Sequence, residues 1–293
     1  MRSPRQQPLA SRVSFRLLGL VGLFLGVSAQ AEERPFFFAM DTAARQPPAQ
    51  AAEVLAELGY DGFGGSPATA KAYAIELAKR KVRFVNAYHV TKLSFQDGDV
   101  PADLVQAIDA LAGLEATLWL GLQQVQLQAE ANSGPTSGDE VAVPALKRAL
   151  VLAKRKGVRV SLYPHAGFWG DRVETCMRVA DAVNDPSLGI TFNLCHWLKV
   201  EGDERDPAPV LKAALPRLDF VTICGADAGD TRRFGWDKLI QPIGRGTYDL
   251  DAFLAKLKTA GYRGPIGFQG YGIPMDSKEL LKVTMDGWKT KAK

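Results

Sequence analysis

The sequence predicts a parallel α/β fold closed as a (β/α)8 TIM barrel, preceded by a cleavable signal peptide, and three observations lead there. Short apolar, β-branched or aromatic runs alternate with longer segments of helical periodicity from residue 36 to the C-terminal end. Eight runs of each kind can be assigned within residues 32–293, and a barrel of this class usually takes about 250 residues. An open doubly wound sheet would carry a glycine-rich phosphate turn after its first strand, but that place reads Met40-Asp41-Thr42-Ala43-Ala44-Arg45.

The predicted strands are 36–41, 60–65, 82–89, 116–122, 158–163, 189–195, 220–225 and 265–269. The predicted helices are 47–58, 68–81, 101–112, 139–156, 171–183, 207–215, 250–260 and 277–289, with apolar residues three and four apart, as in Leu250, Phe253, Leu254 and Leu257. Pro47, Pro101 and Pro207 suit first helical turns, and Asp249 and Ser277 are placed to cap. Gly59, Gly157 and Gly261 provide short exits into the following strand. No linker, low-complexity segment or charge block divides residues 32–293, so they read as one domain.

The chain of 293 residues is 46% hydrophobic and 23% charged, which excludes disorder, collagen and small disulfide scaffolds. Residues 1–31 hold Arg2, Arg5, Arg12 and Arg16 and no acid, then an apolar run over 17–27, then Ala29-Gln30-Ala31. This is the layout of a secretory signal peptide cleaved after Ala31, giving a periplasmic or secreted protein; an uncleaved anchor is the alternative, although the apolar run is short for a bilayer. Those four arginines account for the whole formal charge of +4, leaving a neutral body. Neither nucleic acid nor, after cleavage, a membrane is therefore an expected partner. Three cysteines are too few for disulfides to hold this fold, and Cys195 and Cys224, near the ends of strands six and seven, read as buried thiols, with a disulfide or soft-metal pair as the alternative.

Barrel chemistry sits at the C-terminal strand ends, and all three histidines fall there: His89, His165 and His196, after strands three, five and six. The segments Tyr163-Pro164-His165-Ala166-Gly167-Phe168-Trp169 and Asn193-Leu194-Cys195-His196-Trp197 each combine a polar side chain, a histidine and a tryptophan. Trp169 and Trp197 could stack on sugar rings while the polar groups read hydroxyls, or they could pack the loops. Asp41 and Asp227 are candidate mouth carboxylates or loop caps, and Arg232, Arg233 and Arg245 lie in the long seventh loop.

These residues resemble the xylose isomerase-like barrel superfamily, which includes sugar phosphate isomerases and epimerases, inosose dehydratases and the type IV endonucleases. The likeness spans residues 32–293. It rests on Tyr163-Pro164-His165 where the family often has Glu-x-His, on Asn193-Leu194-Cys195-His196 where it has Asp-x-x-His, and on Pro242-Ile243-Gly244-Arg245-Gly246-Thr247-Tyr248-Asp249 before helix seven. The segment Gly261-Tyr262-Arg263-Gly264-Pro265-Ile266-Gly267-Phe268-Gln269 resembles the approach to strand eight. The resemblance implies a divalent-metal site of Glu, Asp, His and Glu. This chain has Tyr163, Asn193, either Thr222 or Cys224, and Gln269 at those positions. A hard cation needs anionic oxygen, so the usual metal site is expected to be absent.

Two routes to chemistry remain. His89, His165 and His196 could converge on zinc with one open position. Alternatively His165 or His196 acts as general acid or base without metal, with Asp227 as a further catalytic carboxylate. His89, Tyr163, Trp169, Asn193, Trp197, Arg245 and Gln269 would then contact the substrate. The expected function is a secreted isomerase- or epimerase-like barrel acting on or binding a carbohydrate or polyol, by proton transfer beside a sugar carbonyl or by elimination on a 3-keto sugar. The alternative is a barrel that has lost its metal and only binds a sugar or a partner protein. An endonuclease would need carboxylate ligands and a basic face that this chain does not offer.

Overall fold

The structure, a computed structural model, describes residues 34–94, 100–126 and 137–291; the predicted signal peptide, residues 1–31, lies outside the described residues. Strands β1 (Phe37–Met40), β2 (Gly62–Gly65), β3 (Arg83–Ser94), β4 (Thr117–Gln126), β5 (Arg159–Leu162), β6 (Leu188–Asn193), β7 (Leu218–Ile223) and β8 (Ile266–Phe268) pair in parallel and in sequence order, and β8 closes onto β1. Around them run α1 (Pro48–Leu58), α2 (Ala70–Lys79), α3 (Ala102–Leu111), α4 (Asp139–Arg155), α5 (Val173–Val183), α6 (Leu194–Glu201), α7 (Ala208–Ala214), α8 (Trp236–Leu239), α9 (Leu250–Ala260) and α10 (Ser277–Lys291). The expected barrel is present. Among the described residues no helix is long and apolar enough to cross a membrane.

Local chemistry explains most boundaries. Gly59 and Gly261 leave α1 and α9 at φ of 86° and 97°, a left-handed conformation that glycine adopts without strain. Asp249 accepts the Ala252 N–H at 2.8 Å, as its position predicts. At α10 the cap is Asp276, which accepts from the Lys278 and Glu279 amides, whereas Ser277 Oγ accepts from Arg45 N. The predicted Ser277 cap is thus displaced by one residue, to the side chain with the stronger acceptor.

Three departures matter for the site. β6 ends at Asn193 and α6 begins at Leu194, so Leu194 and Cys195 are helical instead of extended, and His196, expected just past the strand, lies in the first turn of a helix. Both β3 and β4 outrun their predicted ends, pairing as far as Ser94 opposite Gln126. Finally, β3 contains an irregularity: Phe63 pairs with Phe84 but Gly64 pairs with Asn86, so Val85 is an extra residue. The bulge changes which side chains face inward after it.

The barrel interior is packed with Phe38, Met40, Val85, Trp119, Tyr163 and Phe220. Phe38 meets Trp119 and Phe220 edge to face at 5.9 Å each, a favoured arrangement of ring quadrupoles. Rings this large need space on neighbouring strands, and glycine provides it: a Cβ on Gly267 would lie 2.3 Å from the Phe38 ring. Toward the N-terminal end, Arg159 grips Asp219 with two hydrogen bonds of 2.9 and 2.7 Å, and Ser161 also donates to that carboxylate. Because Phe38 is fully buried and flanked on both sides, Gly267→Ala should overpack the interior and cost about 1–3 kcal/mol in chemical denaturation. Wild-type stability in that variant would mean the ring has slack.

Candidate functional site

The aromatic interior forms a floor at the C-terminal mouth, and the segment after β5 is built onto it. Tyr163 N–H extends the ladder to Leu120 O at 2.9 Å. The loop at 164–172 then hangs on the overrunning edge of β4 through Trp169 N–H to Gln123 O (3.1 Å) and Gly170 N–H to Leu122 O (3.3 Å). Trp169 Nε1 adds a bond to Ser137 O at 2.9 Å. His165 is thereby held beside Phe168, their rings stacked at 4.0 Å.

His196 arrives from the first turn of α6. Its ring centroid lies 4.0 Å from that of His165, with Tyr163 at 5.7 Å and Trp236 at 5.4 Å. One residue sets the protons on both rings. Ala166 O lies 2.9 Å from His165 Nδ1 and must accept, so His165 carries its proton there and keeps a lone pair on Nε2. Ala166 N–H donates to His196 Nδ1 at 3.4 Å, so His196 carries its proton on Nε2. Burial lowers the pKa of His165, against a smaller opposing effect of the Ala166 carbonyl. For His196 burial, reinforced by the neighbouring imidazole, pushes the pKa well below the usual range. The site holds two neutral imidazoles in opposite tautomers.

The four positions implied as metal ligands bond to one another. Thr222 Oγ1 donates to Asn193 Oδ1 at 2.6 Å, and Asn193 Nδ2 donates to Pro164 O at 3.2 Å and Thr191 Oγ1 at 3.1 Å. Gln269 Oε1 accepts from Thr42 Oγ1 at 2.7 Å, and its Nε2 donates to Tyr163 Oη at 3.4 Å. Thr222, in register with Asn193, takes the strand-seven place, while Cys224 donates to Leu239 O. Burial raises the Tyr163 phenol well above its ordinary value, so it too is neutral. A donor set of two amides, a hydroxyl and a protonated phenol does not fit a hard divalent cation.

The structure brings His165 and His196 together but not His89. Beyond the bulge at Val85, the residues turned inward are Asn86, whose Nδ2 lies 3.8 Å from Met40 Sδ, and Tyr88, which packs on Tyr163 at 4.7 Å. His89 instead meets Asp103 of α3 at 3.0 Å. The three-histidine zinc arrangement is therefore not assembled, and among the described residues no group of three or more His, Cys, Asp or Glu side chains is placed to hold an ion.

The tryptophans serve packing. Trp197 is buried between Phe192 at 5.4 Å and the Arg205 guanidinium at 4.9 Å, which leaves no face for a sugar. Trp169 is half-buried against the Gly138 backbone. Asp227 bonds through its backbone to Lys238 O and, among the described residues, makes no hydrogen bond or ion pair with either imidazole. Asp41 is a partly buried carboxyl raised in pKa by that burial. Arg232 and Arg233 pair with Glu204 and Asp230, Arg245 is exposed on its loop, and all three cysteines are buried free thiols.

Sequence reasoning missed Asn86, Tyr88 and Trp119. Asn86 Oδ1, Tyr88 Oη and Trp119 Nε1 are buried on the β3–β4 side of the interior without a hydrogen-bond partner among the described residues. The signal that could have found them is an asparagine in the middle of the run Phe84-Val85-Asn86-Ala87-Tyr88; the bulge that turns it inward has no sequence signature.

The depressed imidazoles link folding to pH. Below about pH 6.5 the unfolded chain binds protons that the folded rings refuse, so stability is full above that pH and falls as pH drops below it. The slope reaches at most about 1.4 kcal/mol per pH unit for each ring. Urea titrations should show this loss between neutral pH and mild acid, and His196→Gln should flatten part of it. Superimposable pH profiles would mean that His196 is not held neutral.

A 3-dehydroshikimate dehydratase of Pseudomonas putida is 25% identical over 172 residues, covering 57% of this chain and 26% of that protein. A ketose 3-epimerase of Arthrobacter globiformis is 26% identical over 183 residues, covering 61% and 58% respectively. The matched region is thus about a quarter of the dehydratase and under two thirds of the epimerase. The crystal structure of the zinc-bound IOLI protein superposes with a TM-score of 0.69 at 14% identity, over 87% of this chain and 97% of that one, a likeness of fold. Residues 52–288 match the model of the xylose isomerase-like TIM barrel family, and the chain belongs to that family.

Proposed function

We propose that this barrel acts on a carbohydrate or polyol at its C-terminal mouth by proton transfer beside a carbonyl, and does so without the divalent cation its family resemblance implies. The observation that carries this reading is the pair of touching, neutral imidazoles with opposite tautomers. His165 offers a lone pair at Nε2 and serves as the base that takes a proton from carbon. His196 offers Nε2–H and serves as the donor to the carbonyl oxygen as negative charge develops there; a neutral imidazole can do this when its pKa is held down. Beneath the pair, Asn86, Tyr88 and Trp119 hold buried polar atoms with no partner among the described residues. The names of the two relatives suit this chemistry, since inversion at C3 of a ketose takes place next to its carbonyl.

The test is an isomerase, epimerase and dehydratase screen on unphosphorylated ketoses and 3-keto sugars, with and without chelator. Turnover should survive chelation, and His165→Ala should lower it by roughly a hundredfold or more. Loss of activity on chelation, or a wild-type rate in His165→Ala, would sink the proposal.

A second reading is favoured by one observation: Asn193, Thr222, Gln269 and Tyr163 spend their polar groups on one another, as in a site that has ceased to hold a reaction centre. On that reading the barrel only binds its sugar or a partner protein, and calorimetry would show sugar binding by a protein that turns nothing over. We further propose export, motivated by the basic, apolar and small-residue pattern of residues 1–31. N-terminal sequencing of protein from its native host should begin at Glu32; an intact Met1 would refute cleavage.

A further inference from the structure

Beside the imidazole pair lies an ion-pair network that the proposed chemistry does not use. Helix α6 carries His196 in its first turn and Glu201 at its last residue. The Glu201 side chain is only 6% exposed, and both of its oxygens are engaged: Oε1 lies 2.5 Å from Arg172 Nη1 and Oε2 lies 2.5 Å from Arg205 Nη1. Arg172 ends the loop that carries His165 and Ala166. Arg205 lies over the Trp197 ring and also pairs with Glu174 in the first turn of α5. From the β7 loop, Arg232 donates to the Glu201 carbonyl at 2.5 Å. Three arginines from three segments thus converge on the last residue of the helix that bears His196.

We propose that Glu201, with Arg172 and Arg205, is a positioning clamp for the imidazole pair. A carboxylate this buried is tolerable only while its charge partners stay in place, and each of its two oxygens takes one charged hydrogen bond from a different arginine. The clamp therefore sets α6 against the 164–172 loop. Ala166 N–H reaches His196 Nδ1 at 3.4 Å, near the outer limit of a hydrogen bond, so a small shift of the helix breaks it. α6 has eight residues, about 12 Å of helix, so displacement at Glu201 is felt at His196. Without the Ala166 bond, His196 is free to carry its proton on Nδ1, and the complementary tautomers are lost. This proposal rests on the reading of His165 and His196 as the working pair.

Nitrogen NMR of 15N-histidine-labelled protein reports each tautomer and titration midpoint without any substrate. Wild type should show a single Nδ1–H form of His165 and a single Nε2–H form of His196. Arg172→Gln, which leaves Glu201 paired to Arg205 and so should fold, is expected to give mixed His196 tautomers and a higher titration midpoint. Arg172→Lys should recover the wild-type signature, and Glu201→Gln should show the largest loss. Variants that melt at lower temperature yet keep wild-type imidazole signals would overturn the clamp, reducing it to a structural ion pair. If wild type itself shows other tautomers, the acid and base assignment fails, while the clamp still stands or falls on whether the Arg172 variants change the signals.

Discussion

The closed cylinder imposes the constraint on which the rest of the molecule depends: its interior has a fixed cross-section that side chains must fill. Here that space goes largely to rings, with Phe38, Trp119, Tyr163 and Phe220 packed edge to face or tilted, and glycines such as Gly267 where a Cβ would collide. The packing produces a dry platform beneath the mouth. Desolvation over that platform keeps His165 and His196 uncharged and the Tyr163 phenol protonated. The electrostatics of the site thus follow from how the barrel is filled.

At the positions where the family resemblance implies metal ligands, the mouth is self-satisfied in its polar groups and poor in charge. Asn193 and Thr222 from adjacent strands complete each other, and Gln269 bridges Thr42 after β1 to Tyr163 after β5. Such a ring can orient neutral hydroxyls but cannot offset the desolvation of a hard cation. Under the proposed function the chemistry is that of imidazole, and Ala166 decides which nitrogen of each ring keeps its lone pair.

Much of the fold was legible because helical and strand periodicities differ and because proline and glycine mark the ends: Pro47 and Gly59 flank α1, and Gly261 ends α9. The pairing of His165 with His196 was legible as two histidines at neighbouring strand ends. The place of His89 was not, because a strand exposes alternate residues and one extra residue, Val85, reverses the alternation beyond it. Nor was the helical state of His196, since the short run Leu194-Cys195-His196-Trp197-Leu198 is too brief for its periodicity to separate buried strand from buried helix. The roles of Trp169 and Trp197 depended on contacts with Ser137 and Arg205, 32 and 8 positions distant, which no local pattern encodes.

The overrun of β4 past β5 has a further meaning for how the pocket can breathe. Gln123 and Leu122 use their carbonyls to hold the backbone of Trp169 and Gly170, so this sector of the rim behaves as an added half-strand of sheet. Lifting it would break ladder bonds and drag His165 with it. Displacing this sector of the rim therefore costs sheet-like hydrogen bonds as well as side-chain contacts, and His165 shares the rigidity of the strand it hangs from.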